Sequence, residues 1–154
     1  MRIDVHAHMM PEVFVEGDEV RIPINDSGRL HTRALNATNF DRETIDVGRR
    51  LQDMDAQGID IHVVSLQPMF TVALPVEEAV AVSRAINNAF ADVVAEHPKR
   101  FKALADLPLH SPDEAVEELE RAVKQLGLSG AEICSQVKGI NLDNLALRPV
   151  FAKA

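Results

Sequence analysis

Short apolar runs alternate with segments of helical period, and that alternation constrains the fold of this chain more than any single motif does. The runs cover residues 2–6, 59–66, 101–107 and 130–134, each followed by a helix-like stretch or by a loop and then a helix. Strand and helix in regular succession imply βα units and a parallel sheet, because parallel neighbours need a crossover long enough to hold a helix. Ile61, Val63, Val64 and Leu66 leave little polar surface in their run, as do Ala103, Leu104 and Leu107 in theirs. Strands covered on both faces read this way.

The helices carry their own punctuation. Ser111-Pro112-Asp113-Glu114 supplies an N-cap, a proline at the first helical position and a glutamate three residues on, which predicts a capping box. Val116, Leu119, Val123 and Leu126 form its expected apolar stripe, with Glu117, Glu118, Arg121 and Lys124 left for solvent and Gly127 as the stop. A longer helix over 76–96 carries Ala79, Val82, Ile86, Phe90 and Val93 and ends before Pro98. A third, over 46–57, presents Val47, Leu51 and Met54 and closes at Gly58. Between His8 and Asp46 the chain is rich in Pro, Gly, Asn and charge. A connection that long usually has a function, often as an active-site lid; a small hairpin through Val20, Arg21, Ile22, Pro23 and Ile24 is the plainer reading. Residues 145–154 read as the opening turns of one more helix, cut in mid-pattern, so the 1–154 chain is expected to be a truncated single domain.

Composition removes several classes of function. Hydrophobic residues make up 46% and charged residues 26%, as in ordinary globular domains. The apolar stretch from Ile61 to Leu66 is far too short to span a bilayer, and the first residues lack the basic-then-apolar order of a secretory signal, so the expected setting is cytoplasmic and without membrane. A formal charge of -8 argues against nucleic acid as a partner, and with no Trp or Tyr the six Phe offer little stacking surface. The single cysteine, Cys134, reads as a small buried hydrophobe.

Asp4-Val5-His6-Ala7-His8 carries the chemistry. Side chains at i and i+2 of a strand share a face about 6 to 7 Å apart, so His6 and His8 can converge on one divalent ion. Imidazole nitrogen suits zinc and other first-row metals. No other residue is an obvious third ligand, and the plainer reading is two histidines that merely face one side. Asp4 would share that side, as an acceptor behind His6 or as part of a barrel floor. His31, His62, His97 and His110 lack partner spacing: His97 is read as a helix cap, His62 as structural and His110 as a weak substrate contact. Pro68, Met69 and Phe70 would wall a pocket or pack under the long loop.

Several short motifs fall in one order: Asp4-Val5-His6-Ala7-His8 with Pro11, the run from Leu51 to Asp60, Asn87-Asn88, His97-Pro98-Lys99-Arg100-Phe101, Leu107-Pro108, and Leu126-Gly127-Leu128-Ser129-Gly130. As a set they resemble the amidohydrolase-related proteins of the aminocarboxymuconate-semialdehyde decarboxylase type, over nearly the whole chain. The resemblance implies a (β/α)8 barrel, which takes about 250 residues, so this chain would supply about half of one. It implies that His6 and His8 bind a divalent metal, zinc as a rule and manganese as the alternative. Ligands on the fifth and eighth strands, and a proton-transfer histidine on the sixth, would lie beyond Ala154. It implies, too, that Arg50 grips a small-molecule carboxylate substrate through its bidentate fork, with Arg49 as the other register.

The activity so implied is non-oxidative decarboxylation of an unsaturated or aromatic carboxylic acid. The alternative is hydrolysis of a lactone or amide by metal-activated water. A reading from another class is a non-catalytic half-barrel that pairs its exposed strand edges with a second copy or another protein, and a homo-oligomer is expected.

Overall fold

The computed structural model describes residues 1–16, 19–20, 35–36, 42–67, 69–72 and 74–154. In chain order its elements are β1 (Ile3–His8), β2 (Val15–Glu16), β3 (Glu19–Val20), β4 (Leu35–Asn36), α1 (Arg42–Ile45), α2 (Val47–Gln57) and β5 (Ile61–Ser65). There follow α3 (Met69–Val72), α4 (Val76–Glu96), β6 (Phe101–Ala103), α5 (Pro112–Lys124), β7 (Gln136–Val137), β8 (Ile140–Asn141) and α6 (Arg148–Lys153). No helix among the described residues is long and apolar enough to cross a membrane.

The expected parallel sheet forms in the order β1-β5-β6, with Ile3 opposite Ile61 and His62 opposite Phe101. The fourth strand shrinks to a single parallel bridge, Ala131 opposite Ala105. Gly130, at φ 151°, turns the backbone into the bridge from a conformation that side chains rarely adopt. Ala105 N donates to the Gly130 carbonyl at 2.8 Å and Glu132 N to the Ala105 carbonyl at 3.1 Å, so the segment still continues the sheet. In the long connection β2, β3 and β4 pair antiparallel. Residues 21–24 of the expected hairpin lie outside the described residues, as do His31 and Pro68.

One face of the sheet is packed by helices. Val64, Phe101 and Ala103 meet Met54 of α2, Ile86 and Phe90 of α4, and Ala115 and Ala122 of α5, all within 1% exposure or less. Full burial of a Val, Ile, Phe or Met side chain contributes about 1.5–3 kcal/mol. Helix α2 starts where Asp46 accepts a hydrogen bond from Arg49 N at 2.8 Å and ends at Gly58 in the left-handed conformation, φ 67°. Helix α4 has the expected bounds, but its end is capped by the backbone: His97 N donates to the Val93 carbonyl at 3.0 Å, while the His97 ring packs edge-on to Phe101.

Helix α5 departs from expectation twice. Ser111 makes no side-chain cap, so the capping box does not form. The buried face is Ala115, Glu118, Leu119 and Ala122, while Val123 is 42% exposed. Two alanines let α5 come close to α4, and the rotation this sets carries Glu118 inside to 1% exposure. There it finds partners: Arg121 Nε and Nη2 at 2.8 and 2.7 Å, and Asn87 Nδ2 at 2.7 Å. A buried carboxylate is tolerated only with such pairing.

Asn87 extends the network to Asp106, accepting from its backbone N–H and donating to its carbonyl, both at 2.9 Å. The Asp106 carboxyl accepts from Thr71 Oγ1 at 3.0 Å and Ser83 Oγ at 2.6 Å. Burial pushes this carboxyl up to about 6; the Ser83 and Thr71 hydroxyls oppose the rise and neighbouring Glu118 adds to it. The folded state therefore favours the protonated acid. Stability from this group is complete at low pH and falls as pH rises from the unfolded value near 4 through about 6, a loss on the order of 3 kcal/mol at neutral pH. Asp106→Asn is expected to match the wild type in urea at pH 4 and to exceed it by about 1–3 kcal/mol at pH 7.5. An unchanged pH slope in the variant would exclude Asp106 as the source.

Candidate metal centre

The first strand is irregular where it matters. Asp4 pairs with His62 and Ala7 with Val64, so β1 spends one more residue than β5 over the same interval. That bulge changes the parity of the strand. Asp4 and Ala7 lie on the helix-packed side with His62 and Val64, while His6 and His8 face the other side. The expectation that Asp4 shares the histidines' face is thereby corrected. Asp4 instead accepts from His6 N at 3.1 Å, and its other oxygen stands 3.6 Å from His62 Nε2.

The His6 and His8 rings lie edge to face with centroids 4.7 Å apart. His8 Nδ1 is 3.3 Å from Ser65 Oγ, on a serine only 2% exposed and at the matching register position of β5. An Nδ1–H donated to Ser65 would leave on Nε2 the lone pair that a metal takes. Glu132, which follows the Ala131 bridge, brings a carboxylate oxygen into the same place: one ligand atom from each of His6, His8 and Glu132 lies within 4.8 Å of the others. His6 is exposed, and His8 and Glu132 are half-buried. Two imidazoles and one carboxylate form a donor set that fits a divalent first-row ion. The sequence reading did not single out Glu132. Its signal was one acid inside the apolar run Ala131, Ile133, Cys134.

Arg50 is in the first turns of α2 and only 8% exposed. Its Nη2 donates to the His8 carbonyl at 2.7 Å, and Nη1 lies 3.4 Å from His62 Nδ1. The guanidinium thus braces the end of β1 directly behind His8. Arg49 lies on the helix surface, 3.3 Å from Asp53. Burial lowers the His62 pKa, Arg50 and Arg100 lower it further, and Asp4 opposes them, so His62 serves Arg50 as a neutral acceptor. Burial likewise lowers His110, and Lys138 adds to the effect. The Cys134 thiol is half-buried and raised by burial, then by Asp106 and Glu132, which leaves it a poor nucleophile near neutral pH.

Other quoted motifs turn out to be bracing. Arg100 Nε donates to the Asp60 carbonyl at 3.0 Å and Nη2 to the Ile59 carbonyl at 3.2 Å, and it pairs with Asp55 at 2.8 Å. Asn88 accepts from Arg121 Nη1 at 2.8 Å.

Parallel βα units with a donor cluster on the face away from the helices define the inner wall of a (β/α)8 barrel, of which this chain holds about half. The chain belongs to the amidohydrolase family, whose sequence profile matches residues 3–154. It is 31% identical over 161 residues to 2-amino-3-carboxymuconate-6-semialdehyde decarboxylase from Dictyostelium discoideum, covering 98% of this chain and 45% of that protein. It superposes on 2,6-dihydroxybenzoate decarboxylase from Rhizobium with a TM-score of 0.74 and 27% identity, covering 99% of this chain and 46% of the other. It shares the fold of 5-carboxyvanillate decarboxylase from Novosphingobium aromaticivorans, complexed with manganese and 4-hydroxy-3-methoxy-5-nitrobenzoic acid, with a TM-score of 0.77 and 24% identity over 99% of this chain and 47% of that one. The chain spans about half the length of these relatives. The decarboxylase-type resemblance carried by the motifs is borne out.

Proposed function

We propose that this chain is part of a metal-dependent decarboxylase of an aromatic or unsaturated carboxylic acid, with His6 and His8 holding the ion. The observation that carries this reading is the pair of imidazoles 4.7 Å apart on the open face of β1, one of them oriented by Ser65. A bound divalent ion supplies Lewis-acid polarisation of a substrate oxygen. Zinc fits the donor set by chemistry, and manganese has the support of the Novosphingobium complex. Decarboxylation breaks the bond between the carboxylate and its carbon, releases carbon dioxide and leaves the electron pair on that carbon, which then takes a proton. Within this chain Ser65 holds the His8 ring, and the Arg50 guanidinium holds the His8 backbone. Arg50 also enters the proposal as the partner of a substrate carboxylate, a role that would require its Nη groups to exchange the His8 carbonyl and His62 for the substrate. The setting is cytoplasmic and the assembly a homo-oligomer.

The test is titration of the purified protein with Mn(II) and Zn(II), followed by carbon dioxide release from 2,6-dihydroxybenzoate with and without EDTA. One ion per chain and EDTA-sensitive release are expected. Binding of neither metal defeats the reading, and a metal-loaded protein that opens lactones or amides but releases no carbon dioxide makes it a hydrolase. The rival reading, an edge-pairing interaction module, draws on Ile3 and Val5 of β1, which are 45% and 68% exposed. It predicts self-association with no metal uptake.

A further inference from the structure

We propose that Glu132 is the third ligand of the ion held by His6 and His8, and that the ion ties the first strand to the fourth across the open face of the sheet. This rests on the metal reading above and extends it to a residue from the other end of the sheet. The hydrogen-bonded order runs β1, β5, β6 and then the Ala131 bridge, so the histidines and Glu132 belong to opposite edges with two strands between them. Side chains from the two edges of a flat sheet would be too far apart to share a ligand, at about 4.8 Å per strand step. They converge within 4.8 Å because the sheet curls as a barrel wall does.

The carboxylate has reason to seek a cation. Glu132 is half-buried, is flanked by Ala131 and Ile133, and forms no ion pair with Lys or Arg among the described residues. A half-buried acid left without a counter-charge costs free energy. A metal beside the two imidazoles supplies that charge, and the carboxylate joins the ligands that the resemblance places on the fifth and eighth strands. An ion that bridges the two edges also favours the curled sheet over the unfolded chain, so metal raises the melting temperature as well as completing the site.

Mn(II) binding followed by the EPR signal of the free ion, together with thermal melts with and without Mn(II), tests this in the wild type, Glu132→Gln and His6→Ala. The wild type is expected to bind one ion per chain and to melt higher with metal. Glu132→Gln is expected to melt like the wild type in EDTA, to bind Mn(II) about tenfold or more weakly, and to lose most of the metal-induced rise, since even groups one step removed from the ion are worth that much. If His6→Ala loses binding while Glu132→Gln keeps wild-type affinity and the full rise, the Glu132 proposal is overturned and the histidine reading survives. If the wild type binds no metal, both fall. Should Glu132→Gln fail to fold, Glu132→Asp keeps the charge but withdraws the oxygens by one methylene. Weaker binding by that variant supports the ligand role, and wild-type binding overturns it.

Discussion

His8→Ala is expected to lower Mn(II) affinity by about a hundredfold or more and to leave the metal-free melt essentially where it was. The imidazole is half-buried on the face away from the helices, and its one described hydrogen-bond contact is Ser65 Oγ. The bond that anchors this end of β1 is made by the His8 backbone carbonyl to Arg50, and alanine keeps it. Isothermal titration beside a urea melt in EDTA separates the two effects. An equal loss of fold and affinity would mean that the ring is structural.

The second large effect lies outside the site. Asn87→Ala removes three hydrogen bonds at once: from the Asp106 N–H, to the Asp106 carbonyl and to Glu118 Oε1. Asn87 is wholly buried, so the groups left behind have no water to turn to. Each costs about 1–3 kcal/mol when stranded, and a combined loss of about 3–5 kcal/mol is expected. A domain of ordinary stability holds about 5–15 kcal/mol, so the variant is expected to be partly or largely unfolded at 37 °C. The neighbouring Asn88→Ala is the control: it loses an exposed contact to Arg121 and should cost below about 1 kcal/mol. Urea denaturation of the pair reads the difference. The Asn87-Asn88 motif thus has a stability role, and its two members are far from equal.

Much of the scaffold was legible because it is written in local spacing. The first three apolar runs, the Gly58 stop and the bounds of α4 each depend on residues within a turn or two of one another, and each forms an element where it was read, whereas the fourth run keeps only the Ala131 bridge. The face of α5 was not legible. Its hydrophobic period allows two neighbouring rotations, and the choice rests on the close approach of Ala115 and Ala122 to α4 and on partners for Glu118 supplied by Asn87 and Arg121. The capping box at Ser111 failed in the same way: a permissive local pattern with no side-chain bond behind it.

By itself the sequence determined that parallel βα units would form and that two histidines two residues apart would lie on one strand, because side-chain direction within a strand is a matter of counting. Tertiary structure alone decided that Asp4 turns from that face, since a bulge is visible only against the partner strand. It also decided that Arg50 braces the His8 carbonyl and that Glu132, 124 residues after His8, arrives beside the imidazoles. Those meetings depend on the curl of the sheet and the docking of α2, which are set by packing among residues far apart in the chain and leave no mark in local periodicity.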